Sequence, residues 1–140
     1  MRRAWGDRAR HAYALASLEA AGTDLAFGTD APVEPADPWP GIAIAVTRRA
    51  TEWGLEAGSF TPSEAISLER SLRAATAGPR LSAGERDGGR LVVGARADLI
   101  VLDAAAIDEP MRPDGALATA RPLLTLLDGE ERFRDRAFDA

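Results

Sequence analysis

Hydrophobic and polar positions along the chain predict helices first and strands later. Ala12, Leu15, Leu18 and Ala21 recur every three residues, so Arg8 to Ala21 reads as an amphipathic helix that Gly22 can end as its C′ residue. Asp24-Leu25-Ala26-Phe27-Gly28 is a short apolar run too brief for a helix, and suits a buried strand of a parallel sheet. Ala31 to Pro40 holds four prolines and predicts a loop. A second helix is expected from Gly41, with Ile42, Val46, Arg49 or Ala50, and Trp53 on one face and Gly54 and Gly58 at its end. Thr61-Pro62-Ser63-Glu64 carries the signature of a helix start: Thr61 as cap, Pro62 in the first turn and Glu64 as capping-box acid. Ala65, Leu68, Leu72 and Ala75 continue that helix to about Ala77, where Gly78-Pro79 would stop it.

From Gly84 the texture changes. Glycines punctuate short extended pieces, and Leu99-Ile100-Val101-Leu102 reads as a strand. Leu123 to Leu127 and Glu130 to Arg134 flank Asp128-Gly129, which predicts a hairpin with a type I′ turn. Helix, glycine, buried strand and polar strand end form an α/β rhythm, so residues 1–85 are expected as a helical α/β part and 86–140 as a β part.

Composition narrows the chemistry. The 140 residues are 46% hydrophobic and 28% charged, the balance of a folded domain. A net charge of −5 argues against a nucleic-acid partner, because no basic excess can displace phosphate counterions. No apolar run approaches the roughly 20 residues of a membrane span, and no leader is apparent, so no membrane role and a cytoplasmic location are expected. The chain has no cysteine, its 17 basic residues are all arginine, and His11 stands alone. Thiolate nucleophiles, Schiff-base lysines and carbamylated lysine bridges are excluded. A hydrolytic zinc centre of the common type takes three protein ligands, mostly histidines, and this chain alone cannot furnish them; an all-carboxylate site stays open and would favour a harder metal.

Asp30 is the one residue whose position suggests catalysis. It follows the expected strand, at the end where α/β folds gather ligand-binding groups. A carboxylate there can ligate a metal or exchange a proton with water, or it can simply cap the turn by accepting backbone N–H bonds. His11 reads as a surface histidine, Glu34 and Asp37 as solvated loop acids, and Trp39, Trp53 and Phe60 as packing residues. The arginines are scattered singly and read as surface charge. Gly88-Gly89 lacks the lysine and helix of a phosphate-binding loop.

The run Leu25-Ala26-Phe27-Gly28-Thr29-Asp30-Ala31-Pro32-Val33-Glu34-Pro35, followed by Asp37-Pro38 and Ala45-Val46-Thr47-Arg48, resembles the last barrel strand and loop of amidohydrolase family 3, in the branch of N-substituted formamide deformylase-like enzymes. Thr61-Pro62-Ser63-Glu64-Ala65 is similar to that family's last helix, and Gly94-Ala95-Arg96-Ala97-Asp98-Leu99-Ile100-Val101-Leu102-Asp103 to its strand returning to a small β domain. The resemblance implies the C-terminal segment of a (β/α)8 barrel, with its last strand and flanking helices, plus part of a small β-sandwich. It implies a metal-dependent hydrolase of non-peptide carbon–nitrogen bonds in small-molecule amides, using one or two divalent ions, often zinc. Asp30 falls on the family's last-strand aspartate, a catalytic residue and metal ligand. The family's other ligands precede the matched region, so the chain is expected to be inactive alone and to bind no metal by itself. A complementing N-terminal barrel fragment is then the expected partner. A non-catalytic interaction module and a degenerate gene fragment are the alternatives.

Overall fold

The computed structural model describes residues 2–49, 58–107 and 116–139. It is a mixed structure of short helices and one small antiparallel sheet. Helix α1 (Arg2–Trp5) runs into a 3-10 turn at Gly6–His11, and α2 covers Leu15–Ala20. The expected single helix is thus interrupted. Tyr13 takes a left-handed φ of 53°, which a continuous α-helix cannot hold. The end of α2 follows the sequence signal. Gly22, at φ 84°, donates to Glu19 O and Thr23 donates to Leu18 O, the paired bonds of a Schellman motif.

Residues 24–28 form no strand. Leu25, Phe27 and Thr29 are half-buried while Ala26, Gly28 and Asp30 are exposed, so the segment keeps a period of two with one covered face. A parallel strand needs neighbouring strands to satisfy its backbone, and none pairs with this one among the described residues. It lies instead on helices. Phe27 N–H reaches the Ala74 carbonyl at 2.8 Å, one of the carbonyls left without a partner at a helix C-terminus.

Helix α3 spans Trp39–Thr47 and starts two residues earlier than expected, with Pro40 harmless in its first turn. It stops at Arg48, whose φ is 57°; Trp53, expected to continue it, and Gly54, expected at its end, lie outside the described residues. The helix expected from Thr61 begins later. Pro62–Glu64 is a single 3-10 turn, and α4 covers Leu68–Ala75 with Ser67 Oγ accepting Arg70 N–H at 3.2 Å. Gly78 and Pro79 do interrupt the helix, but they also sit in the first turn of α5 (Ala77–Ser82), where a missing N–H costs nothing.

The β part follows the hydrophobic pattern closely. Strands β1 (Leu99–Leu102), β2 (Pro122–Leu127) and β3 (Glu130–Arg134) form a sheet in the order β1-β2-β3, with Leu99 opposite Leu126 and Thr125 opposite Phe133. Asp128 and Gly129 have φ of 54° and 78°, as a type I′ turn demands. The Asp98 carboxylate accepts Asp128 N–H at 2.8 Å, which holds its pKa below the usual aspartate range and ties the turn to the entry of β1. A four-residue helix, α6, follows at Ala104–Ile107.

The core joins the two stretches of chain. Trp39, Ile42, Ala43 and Val46 of α3 bury against Leu117 and Ala120, with Leu68, Leu72 and Ala75 of α4 and Leu102 of β1 packed around them. Side chains such as Leu117, 1% exposed, each contribute roughly 1.5–3 kcal/mol of transfer free energy. The helical face and the 3-10 turn at Ala116–Thr119 therefore hold each other in place.

Candidate functional site

Asp30 ends the extended segment in a tight turn. Its φ is 52°, a conformation that Asp tolerates better than most residues, and its carbonyl accepts Val33 N–H at 2.9 Å. The side chain is exposed and folds back along the chain: a Cβ placed on Gly28 would lie 3.8 Å from Asp30 Oδ1. No donor among the described residues bonds that carboxylate, so it does not act as the turn cap. The main chain of Asp30 closes the turn and leaves both carboxylate oxygens available to something else.

Gly28 and Thr29, just before Asp30, line a cavity of about 540 Å³ whose walls include Tyr13, Leu15, Phe27, Ile44, Arg48 and Phe60. Glu34 also borders it, from the exposed loop after Asp30. Other acids have structural partners. Asp37 accepts Trp39 N–H at 3.1 Å at the start of α3 and pairs with Arg121 at 3.1 Å, so it is a clamp rather than a free loop acid. His11 is exposed, with Nε2 accepting from Arg10 Nε at 3.0 Å.

Two charged residues matter more than the sequence suggests. Arg48 is buried, 3% exposed, at the end of α3. Its Nε donates to Phe60 O at 3.1 Å, and Nη2 donates to Tyr13 O at 3.3 Å and Thr61 Oγ1 at 2.8 Å. Phe60 N–H returns a bond to Arg48 O at 2.8 Å, so the left-handed Arg48 backbone is fixed from both sides. Burial lowers the Arg48 pKa, with the nearby Glu64 carboxylate opposing that shift. Glu64 does not cap its own segment. It accepts the Ser17 hydroxyl at 2.6 Å and the Ser17 N–H at 2.9 Å, capping α2 instead, and these bonds hold its pKa below the usual glutamate range. Arg48 was unreadable from its neighbours, since it falls off the apolar phase of α3 and looks like any surface arginine.

A protein metal centre needs several converging donors. Among the described residues no group of three or more His, Asp or Glu side chains is placed to hold an ion. Asp30 can offer a single carboxylate, and by themselves these residues do not fit a metal. No helix among them is long and apolar enough to cross a membrane.

A sequence profile of the amidohydrolase family matches residues 2–133. This chain belongs to the amidohydrolase family. It is 36% identical over 108 residues to YtcJ of Bacillus subtilis (strain 168), a protein named as an amidohydrolase; the match covers 73% of this chain and 20% of that relative. The chain thus spans about a fifth of the length of the curated relative it matches. No solved structure matches it significantly. Amidohydrolases are generally metal-dependent hydrolases. Such chemistry asks for more donors than the described residues bring together.

Proposed function

We propose that this chain supplies the last-strand aspartate and the C-terminal wall of a metal-dependent amidohydrolase acting on non-peptide carbon–nitrogen bonds, with small amides of the N-substituted formamide kind as substrates. The observation that carries the reading is the Asp30 carboxylate, exposed at the end of the extended segment and without a donor among the described residues while its main chain makes the turn. A carboxylate so placed can take a proton from attacking water and return it to the leaving nitrogen. The remaining ligands, for zinc or another divalent ion, come from polypeptide outside these 140 residues. In that assembly, residues 1–85 complete the end of a (β/α)8 barrel and 86–140 part of a small β-sandwich. The half-covered segment 24–28, with no strand beside it among the described residues, suits a place between barrel strands.

A second reading, docking without catalysis, draws on Leu91-Val92-Val93, which are 84%, 59% and 107% exposed. The two are separated by assaying the purified chain alone and together with the polypeptide carrying the preceding part of an amidohydrolase. The first reading expects no amidase activity and no stoichiometric zinc from the isolated chain, and metal-dependent turnover from the combination. Tight zinc binding with turnover by the isolated chain, or a combination that assembles but never turns over an amide, would overturn it.

A further inference from the structure

Arg48 presents a buried positive charge whose partners are all neutral. Two carbonyls and one hydroxyl engage Nε and Nη2, while Nη1, with two N–H groups, has no partner among the described residues. The carboxylate nearest in influence, Glu64, is held by both donors of Ser17. Arg48 is 3% exposed and lines the 540 Å³ cavity together with Leu15, Phe27, Ile44 and Phe60. A guanidinium taken out of water without a counter-charge is costly, and that cost falls when an anion reaches it. The cavity is in the size range of small-ligand sites and its walls are mainly apolar with one fixed cation.

We infer that this cavity binds a small organic carboxylate, its carboxyl group on Arg48 Nη1 and its aromatic or branched apolar body against Leu15, Phe27 and Ile44. The bidentate geometry of guanidinium suits a carboxylate, and the apolar walls disfavour a compact inorganic anion, which would stay fully hydrated. Glu34, the carboxylate in the lining, stands on an exposed loop where water screens its repulsion. The inference stands on the buried charge and the cavity, and not on the role of Asp30.

The test is an NMR titration of the full chain with phenylacetate, with its neutral isostere phenylacetamide and with inorganic phosphate. Phenylacetate should give saturable shifts at residues 26–29 and 44–48, about tenfold or more tighter than phenylacetamide. Arg48→Gln should abolish that preference. Because Arg48 also ties chain segments together, Gly41→Phe serves as the second variant: Gly41 is exposed, lines the cavity, and a Cβ there meets nothing within 4 Å. It should weaken phenylacetate by about tenfold by filling the space, with the fold intact. Equal binding of phenylacetamide, undiminished binding by Gly41→Phe, phosphate binding as tightly as phenylacetate, or no saturable binding at all would each overturn the inference.

Discussion

Glu64 and Ser17, 47 residues apart, are joined by two hydrogen bonds: the carboxylate takes both the serine hydroxyl and its backbone N–H. In an unbroken helix that N–H would go to the carbonyl of Tyr13. Here Tyr13 O is occupied by Arg48 Nη2 and by Leu15 N–H. Arg48 and Glu64 thus divide between them the bond that would have made one long helix. The break that separates the 3-10 turn from α2 is imposed from a distance.

That relationship has a pH signature. The folded-state pKa of Glu64 is lowered, chiefly by the Ser17 hydroxyl bond. Its stabilisation is therefore complete above the ordinary glutamate value of about 4.3 and is lost as pH falls through the lower folded value. Glu64→Gln should lower the melting temperature near neutrality, and the difference from wild type should vanish in acid. Thermal melts at pH 7 and at pH 3 check this; a difference that persists undiminished at low pH would contradict it.

Gly78 is fixed by contact. A Cβ at this position would lie 2.1 Å from the carbonyl oxygen of Leu25, so α5 can approach the extended segment only through glycine. Gly78→Ala should destabilise by about 1–3 kcal/mol through forced displacement. Gly41→Ala, in the open first turn of α3, should instead stabilise by up to about 1 kcal/mol. Urea unfolding of both variants separates contact from propensity.

Ser71 is fully buried in α4, and its hydroxyl finds no hydrogen-bond partner among the described residues. Ser71→Ala removes a desolvated polar atom without opening much space and adds helix propensity. A gain of about 1 kcal/mol is expected. Calorimetry that found a loss instead would show that the hydroxyl has a partner in solution.

Local chemistry explains which elements the sequence disclosed. The β2–β3 hairpin is specified by Asp128-Gly129, because those two residues pay the least for two successive positive φ angles. Gly22 is legible for the same reason. Elements set by distant partners were not. Thr61-Pro62-Ser63-Glu64 has the capping-box spelling, yet Ser67 caps the helix because Glu64 is drawn to Ser17. The apolar run 24–28 has strand chemistry but, among the described residues, no strand to pair with, so it packs on α4 and α5. Gly88-Gly89, unreadable as a motif, has a packing reason: a Cβ on Gly89 would sit 2.5 Å from Thr76 backbone atoms. Asp30 was legible as a position at the end of an apolar run; that its carboxylate does chemistry is the proposal. Arg48 was not, because its burial depends on Phe60, Tyr13 and Thr61 together.

The central claim is that Asp30 does chemistry. Asp30→Asn should leave the fold untouched, since the side chain is exposed, has no partner among the described residues, and Asn tolerates the same left-handed φ. The decisive measurement is the amide-hydrolysis rate of the chain assembled with the preceding amidohydrolase polypeptide, wild type against Asp30→Asn, at saturating divalent metal. A loss of about 10²–10⁴-fold in kcat with an unchanged melting temperature is predicted; equal rates from the two would contradict the account.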